Sequence, residues 1–287
     1  MEFRSSARKN PLTGEDTDVI ETPYSKGEWK VVQCVSTGMV FLENPPEYSE
    51  LEENFAWERT YLEEKKRRKE SEPFLSGVSD LGKGLRKRFR KLTRVEKTVL
   101  RVLTSGDSPV KNGQARILDV GCGGGEQGIQ CVRLLKELHN IDANPIGVEI
   151  SLGLAKIADE RMSEFGGHCV QAAANVGIEA LDADSIDLVI LRSYLEHESS
   201  PLDVLKAVRN VLKPGGFVVI RVPNFDSWNR KFRQGRWCGF RYPDHVNYFT
   251  PKTLKVILDN ADLQIFESRL LDQLPTNDNV SLVATKR

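Results

Sequence analysis

The sequence predicts an α/β fold built on a doubly wound, mostly parallel sheet. Over residues 111–287, short apolar and β-branched segments alternate with stretches of helical periodicity, as in strands joined by helical crossovers. The first of these segments runs directly into a glycine-rich turn. The last two strand candidates are separated by a polar turn instead of a helix, which predicts a C-terminal antiparallel hairpin.

Each element of this sheet follows from a local pattern. Helices are expected over residues 126–138 and 151–165, each directly after a strand, and turn residues mark the element ends. The parallel strands are expected at residues 116–121, 144–150, 168–173, 186–192 and 216–222, and the closing hairpin at 263–271 and 280–285.

The part of the chain before this sheet is expected to form an appendage with helices. Residues 1–26 are polar and aperiodic, which predicts a disordered or loosely packed leader. Residues 27–110 predict a small hairpin, within 29–42, followed by a basic helical region over about 47–103. An amphipathic stripe recurs in that region at helical spacing. Its apolar members are Leu85, Phe89, Leu92, Val99 and Val102.

Composition limits the class of protein. With 287 residues, of which 39% are hydrophobic and 29% charged, the chain is long enough for one α/β domain and an appendage of about a hundred residues. It contains no apolar run long enough to span a membrane, and its first residues lack the apolar core of a signal peptide. Five cysteines without paired spacing argue against a disulfide framework. We therefore expect a soluble, cytoplasmic protein with reduced thiols.

The glycine-rich turn after the first strand predicts a nucleotide-type ligand site. Residues without a Cβ let a ligand approach the backbone, and the helix that follows directs its unpaired N–H groups at the same place. Two ligand classes bind at such turns. A dinucleotide motif would use Gly123, Gly125 and Gly128. The D-x-G-x-G-x-G motif of S-adenosylmethionine sites is matched by Asp119, Gly121, Gly123 and Gly125.

Two acidic residues at strand ends bear on this choice. Asp119 precedes the turn, where a carboxylate would repel phosphates but suits a ligand that carries an ammonium and a sulfonium group. Glu149 ends the second strand, where an acid can accept hydrogen bonds from both hydroxyls of a ribose. Since both ligand classes contain that ribose, Glu149 indicates an adenosine-type site without choosing between them.

Four motifs in a fixed order give the chain a family resemblance. They read ILDVGCGGG from residue 117, GVEIS from 147, IDLVILRSYLEH from 186 and VLKPGGFVVIRVPN from 211. In this order, the region from about residue 116 to 287 resembles the class I S-adenosylmethionine-dependent methyltransferases, and especially the small-molecule branch with the ubiquinone-pathway O-methyltransferases. The resemblance implies a Rossmann-like sheet, S-adenosylmethionine as the cofactor and methyl transfer as the activity.

The resemblance also implies which residues contact the cofactor. By position in the motifs they are Asp119, Gly121, Cys122, Gly123, Gly125, Glu149, Ile150, Ala173, Ala174 and Arg192. One departure follows the third strand, where relatives commonly have an acid beside the adenine amine and this chain has Ala173. Backbone groups, apolar contacts and, as one option, Asn175 would then hold the adenine.

Methyl transfer to a hydroxyl needs a base beside the acceptor, and histidine is suited to that role near neutral pH. His245 lies in an aromatic insertion, residues 237–249, which we expect to act as a lid over the acceptor. His197 follows the fourth strand, at the edge where α/β sheets bind ligands, and is the second candidate. The expected acceptor contacts are Tyr194, Trp237, Arg241, Tyr242 and Tyr248. Arg236 and Arg241 could hold an anionic group on a small-molecule acceptor.

No metal site is predicted. The ubiquinone-pathway enzymes that the chain resembles hold a divalent cation with E-x-x-E-H, and here Ser193 replaces the first acid before Glu196 and His197. The hairpin segment from Cys34 to Gly38 resembles the start of a zinc ribbon found ahead of some methyltransferases, but Thr37 stands where the second cysteine of its C-x-x-C-G would be. Because Cys34 alone cannot complete a tetrahedral zinc site, we expect a metal-free remnant.

The basic helical region bears on possible partners. Between residues 65 and 101 there are 14 Lys and Arg against 4 Asp and Glu. A solvated helix face that packs by its apolar stripe accounts for this surplus. The alternative is attraction of an anionic partner such as a phosphorylated substrate, a nucleic acid or, through peripheral contact, a membrane surface. We recognise no nucleic-acid-binding module and expect no nucleic-acid partner.

The sequence thus predicts an S-adenosylmethionine-dependent methyltransferase that acts on a small molecule, most readily at oxygen. Two alternatives stay open. One is a catalytically inactive S-adenosylmethionine-binding protein, consistent with the missing adenine acid and metal ligand. The other, weaker alternative is an NAD-dependent oxidoreductase.

Overall fold

The structure, a computed structural model, describes residues 3–46, 92–110, 113–268 and 274–286. Numbered in chain order, its strands are β1 (Arg4–Ser5), β2 (Asp18–Glu21), β3 (Val31–Cys34), β4 (Val40–Leu42), β5 (Gln114–Val120), β6 (Asp142–Glu149), β7 (His168–Gln171), β8 (Ile186–Arg192), β9 (Leu212–Pro223), β10 (Asn247–Tyr248), β11 (Leu263–Glu267) and β12 (Asn279–Lys286). The α-helices are α1 (Arg94–Leu103), α2 (Glu126–His139), α3 (Leu152–Ser163), α4 (Ala174–Glu179), α5 (Pro201–Val211), α6 (Trp228–Arg233) and α7 (Pro251–Asn260).

The larger sheet has the strand order β11-β12-β9-β8-β5-β6-β7. Strands β5 to β9 pair in parallel, whereas β12 pairs antiparallel with both β9 and β11. The predicted α/β class, with a mostly parallel sheet and an antiparallel closing hairpin, is therefore confirmed. The chain leaves the central strand β5 first to one side and then to the other, so a crevice opens at the carboxyl ends of β5, β6 and β8.

Both faces of this sheet are buried. Leu118 and Val120 of β5 belong to one apolar cluster, which also contains side chains of α4, α5 and α7. Ala115 and Ile117 belong to a second cluster with side chains of α1 and α2. Burial on both faces explains why the parallel strands are nearly continuous apolar runs in the sequence.

Helix α1 is the described part of the predicted basic helical region. It begins with a capping box, in which the Thr93 hydroxyl accepts from the Glu96 backbone and the Glu96 carboxylate accepts from the Thr93 backbone. Val99 and Val102 of the predicted stripe are buried. The rest of the region, with Leu85, Phe89 and most of the surplus of positive charge, lies outside the described residues. No described helix is long and apolar enough to cross a membrane.

A second, antiparallel sheet has the order β1-β2-β3-β4-β10. Strands β3 and β4 form the hairpin that the sequence predicts. Strand β10 comes from the far end of the chain, with Asn247 opposite Phe41 and Tyr248 opposite Val40. The boundary expected at residue 110 therefore does not separate two independent units, because the small sheet includes a strand from residues 111–287.

The expectation of a disordered or loosely packed leader is wrong for residues 3–26. These residues supply β1 and β2, and the side chains of Leu12 and Val19 are fully buried. The Asn260 side chain donates to the Leu12 carbonyl at 2.8 Å. Short strands interrupted by turns leave no periodicity in the sequence, and the surface that buries Leu12 lies far along the chain. Local pattern could not reveal either fact.

The burial of Leu12 can be tested by its effect on stability. Leu12→Ala should lower the free energy of unfolding by about 2 to 5 kcal/mol, because it removes apolar contacts and leaves a cavity in the core. Urea unfolding at equilibrium measures the difference. Leu138→Ala, on α2 with a side chain 56% exposed, is the matched control and should change stability by about 0.5 kcal/mol or less. Equal effects of the two substitutions would show that the leader does not pack on the core.

Candidate functional site

A cavity of about 770 Å³ lies where β5, β6 and β8 end. Of the residues predicted to contact a cofactor, all but Gly125 line it: Asp119, Gly121, Cys122, Gly123, Glu149, Ile150, Ala173, Ala174 and Arg192. The structure thus brings together residues from three of the four motifs and from the segment that follows the third parallel strand. Asn175, the optional adenine contact, is not among the described lining residues.

The glycines of the turn serve different purposes. Gly121 has a φ of 66°, and a Cβ there would lie 2.5 Å from a ring carbon of Tyr194, so a side chain is excluded. Gly123 also has a positive φ, of 55°, but a Cβ would meet open space, which leaves its backbone accessible from the cavity. Gly125 is the N-cap of α2, and its positive φ of 84° lets the chain turn from the glycine loop into the helix.

Asp119 is a buried carboxylate in the wall of the cavity. It is 4% exposed, and its Oδ2 accepts a hydrogen bond from the Gly128 backbone at 3.0 Å. Burial raises the pKa of Asp119 to about 7, although the Gly128 hydrogen bond and the charge of Arg192 act in the opposite direction. A cationic group bound in the cavity would favour the ionised form, so this position suits a positively charged ligand.

The Glu149 carboxylate joins two turns at the edge of the sheet. Its Oε2 accepts from the Gly123 backbone at 2.8 Å and its Oε1 accepts from the Ser151 backbone at 2.9 Å. Ser151 in turn is the N-cap of α3. Each carboxylate oxygen has a further lone pair, so Glu149 can hold the turns in place and still accept from a ligand.

Cys122 packs as an inert thiol. Its sulfur lies 3.7 Å from that of Cys169, and both sulfurs cover Gly147, where a Cβ would be 2.7 Å from the Cys122 sulfur. The hydrogen bond with Cys169, together with burial, raises the pKa of the Cys122 thiol. A thiol that stays protonated is a poor nucleophile, so Cys122 fills space in the turn.

The other end of the cavity is formed by two loops. The β8 loop, residues 193–199, supplies Tyr194, His197 and Glu198, and the β10 segment, residues 244–248, supplies Asp244. The Tyr194 hydroxyl donates to Glu198 Oε2 at 2.6 Å. Nδ1 of His197 lies 2.9 Å from the Asp244 carbonyl oxygen. Sequence reasoning missed Glu198 and Asp244, although each is next to a residue it singled out.

His197 is a neutral imidazole with a defined orientation. Because a carbonyl oxygen can only accept, Nδ1 carries the proton and Nε2 is the acceptor nitrogen. Burial, followed by the charge of Arg241, lowers the pKa of His197 to about 3, despite the opposing hydrogen bond to Asp244. His197 therefore stays neutral throughout the physiological pH range.

His245 lies behind His197 and not at the cavity. It is 5% exposed, its Nδ1 donates to the Gly239 carbonyl at 2.8 Å, and its ring contacts the His197 ring edge to face with centroids 4.6 Å apart. Burial holds the pKa of His245 well below its ordinary value. The expectation that His245 is the leading candidate base is corrected, because its ring does not line the cavity.

The aromatic insertion does not form a lid over the cavity. Trp237, Tyr242 and Tyr248 belong to an apolar cluster with Val31, Val40 and Leu42 of the small sheet. The two tyrosine hydroxyls form hydrogen bonds inside the fold, since Tyr242 donates to the Tyr24 carbonyl and Tyr248 to the His245 carbonyl. Arg241 lies 3.7 Å from Asp244 and does not line the cavity. Of the expected acceptor contacts, the structure places Tyr194 alone in the described lining.

A group of possible metal ligands lies beside the cavity. Glu196, His197 and His245 each offer a ligand atom, and these atoms lie within 4.8 Å of one another. The charge of Arg241 acts on all three residues, and that of Arg221 also acts on Glu196. These cations oppose a further positive charge, so the group fits a metal ion poorly. The absence of a metal site stays a prediction.

Cys34, at the end of β3, has polar neighbours in place of further thiols. Its sulfur lies 3.0 Å from the Thr17 hydroxyl, 3.2 Å from that of Ser36 and 3.3 Å from the Asn10 amide nitrogen. Burial alone would raise the pKa of the Cys34 thiol, but hydrogen bonds from Ser36, Thr17 and Thr37 lower it to about 7. The resemblance of this segment to a zinc ribbon also stays a prediction.

Comparison with known proteins gives consistent matches. A family model described as a methyltransferase domain matches residues 85–268. A ubiquinone biosynthesis O-methyltransferase of Burkholderia multivorans is 27% identical over 179 residues, covering 58% of this chain and 72% of that protein. One of Cupriavidus pinatubonensis is 25% identical over 177 residues, covering 58% and 67%. The solved structure of the (4+2)-cyclase SpnF, at 16% identity, has a TM-score of 0.50 and covers 67% of this chain and 80% of its own, which shows similarity of fold alone.

The buried carboxyl of Asp119 should make stability depend on pH. Its folded pKa of about 7 lies above the ordinary value of 3.8, so its proton favours the folded state fully below pH 4, and this contribution is lost as pH rises towards 7. Between pH 5 and pH 8, the free energy of unfolding of the ligand-free wild-type protein should fall by about 2 kcal/mol more than that of Asp119→Asn. Urea unfolding of both proteins at the two pH values measures this difference. Parallel pH profiles would contradict the assignment.

Proposed function

Because the chain belongs to the class I S-adenosylmethionine-dependent methyltransferases, we propose that it transfers the methyl group to a hydroxyl oxygen of a small molecule held beside His197 and Asp244. One observation supports this most directly. A single cavity runs from the acidic residues Asp119 and Glu149 to the neutral imidazole of His197. Cofactor and acceptor can therefore share one continuous space, which is what direct transfer requires.

S-adenosylmethionine is the cofactor, and when bound it supplies an electrophilic methyl group on a sulfonium sulfur. Asp119 offers a buried negative charge to its positively charged methionine portion. Glu149, already fixed by two backbone donors, accepts from the ribose hydroxyls. Ala173 and Ala174 offer apolar contact and backbone groups to the adenine. These side chains hold and orient the cofactor without taking part in covalent chemistry.

The acceptor end of the cavity handles a proton. An oxygen that gains a methyl group becomes strongly acidic, so even a weak base within hydrogen-bond reach can take its proton. We assign this role to His197, which lines the cavity; its Nδ1 is held by the Asp244 carbonyl, and its Nε2 is buried. The paired Tyr194 and Glu198 side chains contribute a second polar group at the same end. Arg241 is used inside the fold, which favours an uncharged acceptor over the anionic one that the sequence indicates.

The alternatives make different predictions for binding and turnover. A catalytically inactive binder would take up S-adenosylmethionine in isothermal titration but form no S-adenosylhomocysteine with any hydroxyl-bearing acceptor. An oxidoreductase would bind NAD and not S-adenosylmethionine. Titration with both cofactors, followed by mass-spectrometric detection of S-adenosylhomocysteine across an acceptor panel, separates the three. Turnover that adds the methyl to nitrogen or carbon would contradict the oxygen assignment.

Glu149→Ala should weaken cofactor binding. It removes a charged hydrogen-bond acceptor for the ribose and releases two backbone donors, so affinity should fall by about 1.5 to 3 kcal/mol. Isothermal titration measures the dissociation constant, and thermal unfolding checks that the variant is folded. Glu179→Ala, on an exposed residue at the end of α4, is the matched control and should bind normally. Unchanged affinity for Glu149→Ala would place the ribose elsewhere.

His197→Ala should lower turnover by about a hundredfold or more if His197 accepts the proton. The dissociation constant of the cofactor should change little, because no predicted cofactor contact depends on this ring. Steady-state kinetics with the best acceptor and a parallel titration measure the two quantities. His168→Ala, on an exposed residue at the start of β7, controls for loss of an imidazole. Full activity of His197→Ala would show that another group accepts the proton.

A further inference from the structure

We propose that Arg8, in the N-terminal segment, is a positioning residue for methyl transfer. Its guanidinium holds together the β8 loop and the β10 segment, which form the acceptor end of the cavity. The proposal rests on the function proposed above, because a positioning role presupposes a reaction at that end. It assigns to the small N-terminal sheet a part in shaping the site.

The two loops are first joined to each other by backbone and amide groups. The backbone N–H groups of Val246 and Asn247 both donate to the Glu196 carbonyl, at 2.7 and 3.1 Å. The Asn247 side-chain nitrogen donates to the carbonyls of Leu195 and Glu198, at 2.8 and 2.6 Å. Asn247 is 2% exposed. A buried amide with these partners fixes how the β8 loop lies against the β10 segment.

Arg8 adds further hydrogen-bond donors between the two loops and strand β4. Its Nη2 donates to the Ser199 carbonyl at 2.6 Å and to Asn247 Oδ1 at 3.0 Å. Its Nη1 donates to the Val246 carbonyl at 3.1 Å and to the Leu42 carbonyl at 2.9 Å. One planar cation therefore spans the end of the β8 loop, the β10 segment and strand β4. The fixed fork of donors in arginine permits this, whereas the single ammonium of lysine does not.

The contact with Asn247 specifies the orientation of that side chain. Because Oδ1 accepts from Arg8, the amide nitrogen is directed at the carbonyls of Leu195 and Glu198. Without Arg8, the oxygen loses a charge-assisted partner and the amide can turn over. The β8 loop would then be held less firmly at both ends of the stretch that contains His197. Tyr194, His197 and Glu198 would lose their fixed placement against a bound acceptor.

Arg4 provides a matched comparison on the same segment. Its guanidinium pairs with the buried carboxylate of Glu43, with both contacts at 2.6 Å. Arg4 thus ties the N-terminal segment to the small sheet as firmly as Arg8 does, but it has no described hydrogen bond to the β8 loop or the β10 segment. Loss of Arg4 tests for general loosening of the small sheet. Loss of Arg8 tests for loosening of the site.

The experiment compares Arg8→Ala, Arg8→Lys and Arg4→Ala in the full chain. Arg8→Ala should lower kcat by about tenfold or more, because small misplacements of reacting groups are costly, with the dissociation constant of S-adenosylmethionine within about twofold of wild type. Arg8→Lys keeps the positive charge but loses the forked donors of arginine, so its kcat should lie between those of Arg8→Ala and wild type. Arg4→Ala should keep wild-type kcat. Added guanidinium ion at millimolar concentration should restore part of the activity of Arg8→Ala.

Hydrogen–deuterium exchange provides a readout independent of turnover. In Arg8→Ala with S-adenosylhomocysteine present, exchange should rise in peptides covering 193–199 and 244–248 and stay unchanged over 117–128. If wild type turns over no acceptor, the proposed function fails while this exchange still tests Arg8. The positioning role would be overturned if Arg8→Ala had the same kcat and the same hydrogen–deuterium exchange as wild type. An equal loss of kcat in Arg4→Ala would overturn it too, as would Arg8→Lys matching wild type in both readouts. If Arg8→Ala does not fold, Arg8→Lys decides alone.

Discussion

The paired hydrogen bonds to the Glu149 carboxylate are the contact on which the cofactor side of this molecule depends. They join the glycine turn after β5 to the first residue of the helix after β6. Parallel strands in register bring their carboxyl ends to one edge, but they do not by themselves fix the loops that leave that edge. A charge-assisted tie between two such loops does so. It also places an acid in the wall of the cavity, where we propose that it accepts hydrogen bonds from a ribose.

Buried ionisable groups in and beside the cavity lower the stability of the folded protein. Burial raises the pKa of Glu196 to about 8, against the opposing charges of Arg241 and Arg221, and raises that of Asp119 to about 7. The same environment keeps His197 and His245 neutral. The carboxyl groups of Glu196 and Asp119 would be more stably solvated, as carboxylates, in the unfolded chain near neutral pH. The structure tolerates them because the strands beneath are buried on both faces, and the large apolar clusters offset the cost.

The aromatic insertion between β9 and α7 shows how a correct observation can lead to a wrong location. Its residues are rich in aromatic rings and arginines, as a substrate lid would be. In the structure these rings cover the small sheet instead, with Phe240 stacked on Tyr24 at a centroid distance of 4.8 Å and on Tyr242 at 6.0 Å. The insertion serves the site through its backbone. It delivers the Asp244 carbonyl to His197 and the strand β10 to the small sheet.

The sequence by itself determined the fold class, the order of strands and helices in the large sheet, and the cofactor end of the cavity. These depend on residues close together in the chain, such as the glycines that follow Asp119 and the acid that ends β6, and their spacing is visible as a motif. The sequence also singled out Tyr194 and His197, but only the tertiary structure decided how the β8 loop and the β10 segment come together at the cavity. The side chains of Arg8 and Asn247 meet across a separation of 239 residues, and His197 contacts the backbone carbonyl of Asp244, 47 residues away. No residue type announces such a contact, because the geometry that makes it specific exists only after the two sheets have packed together.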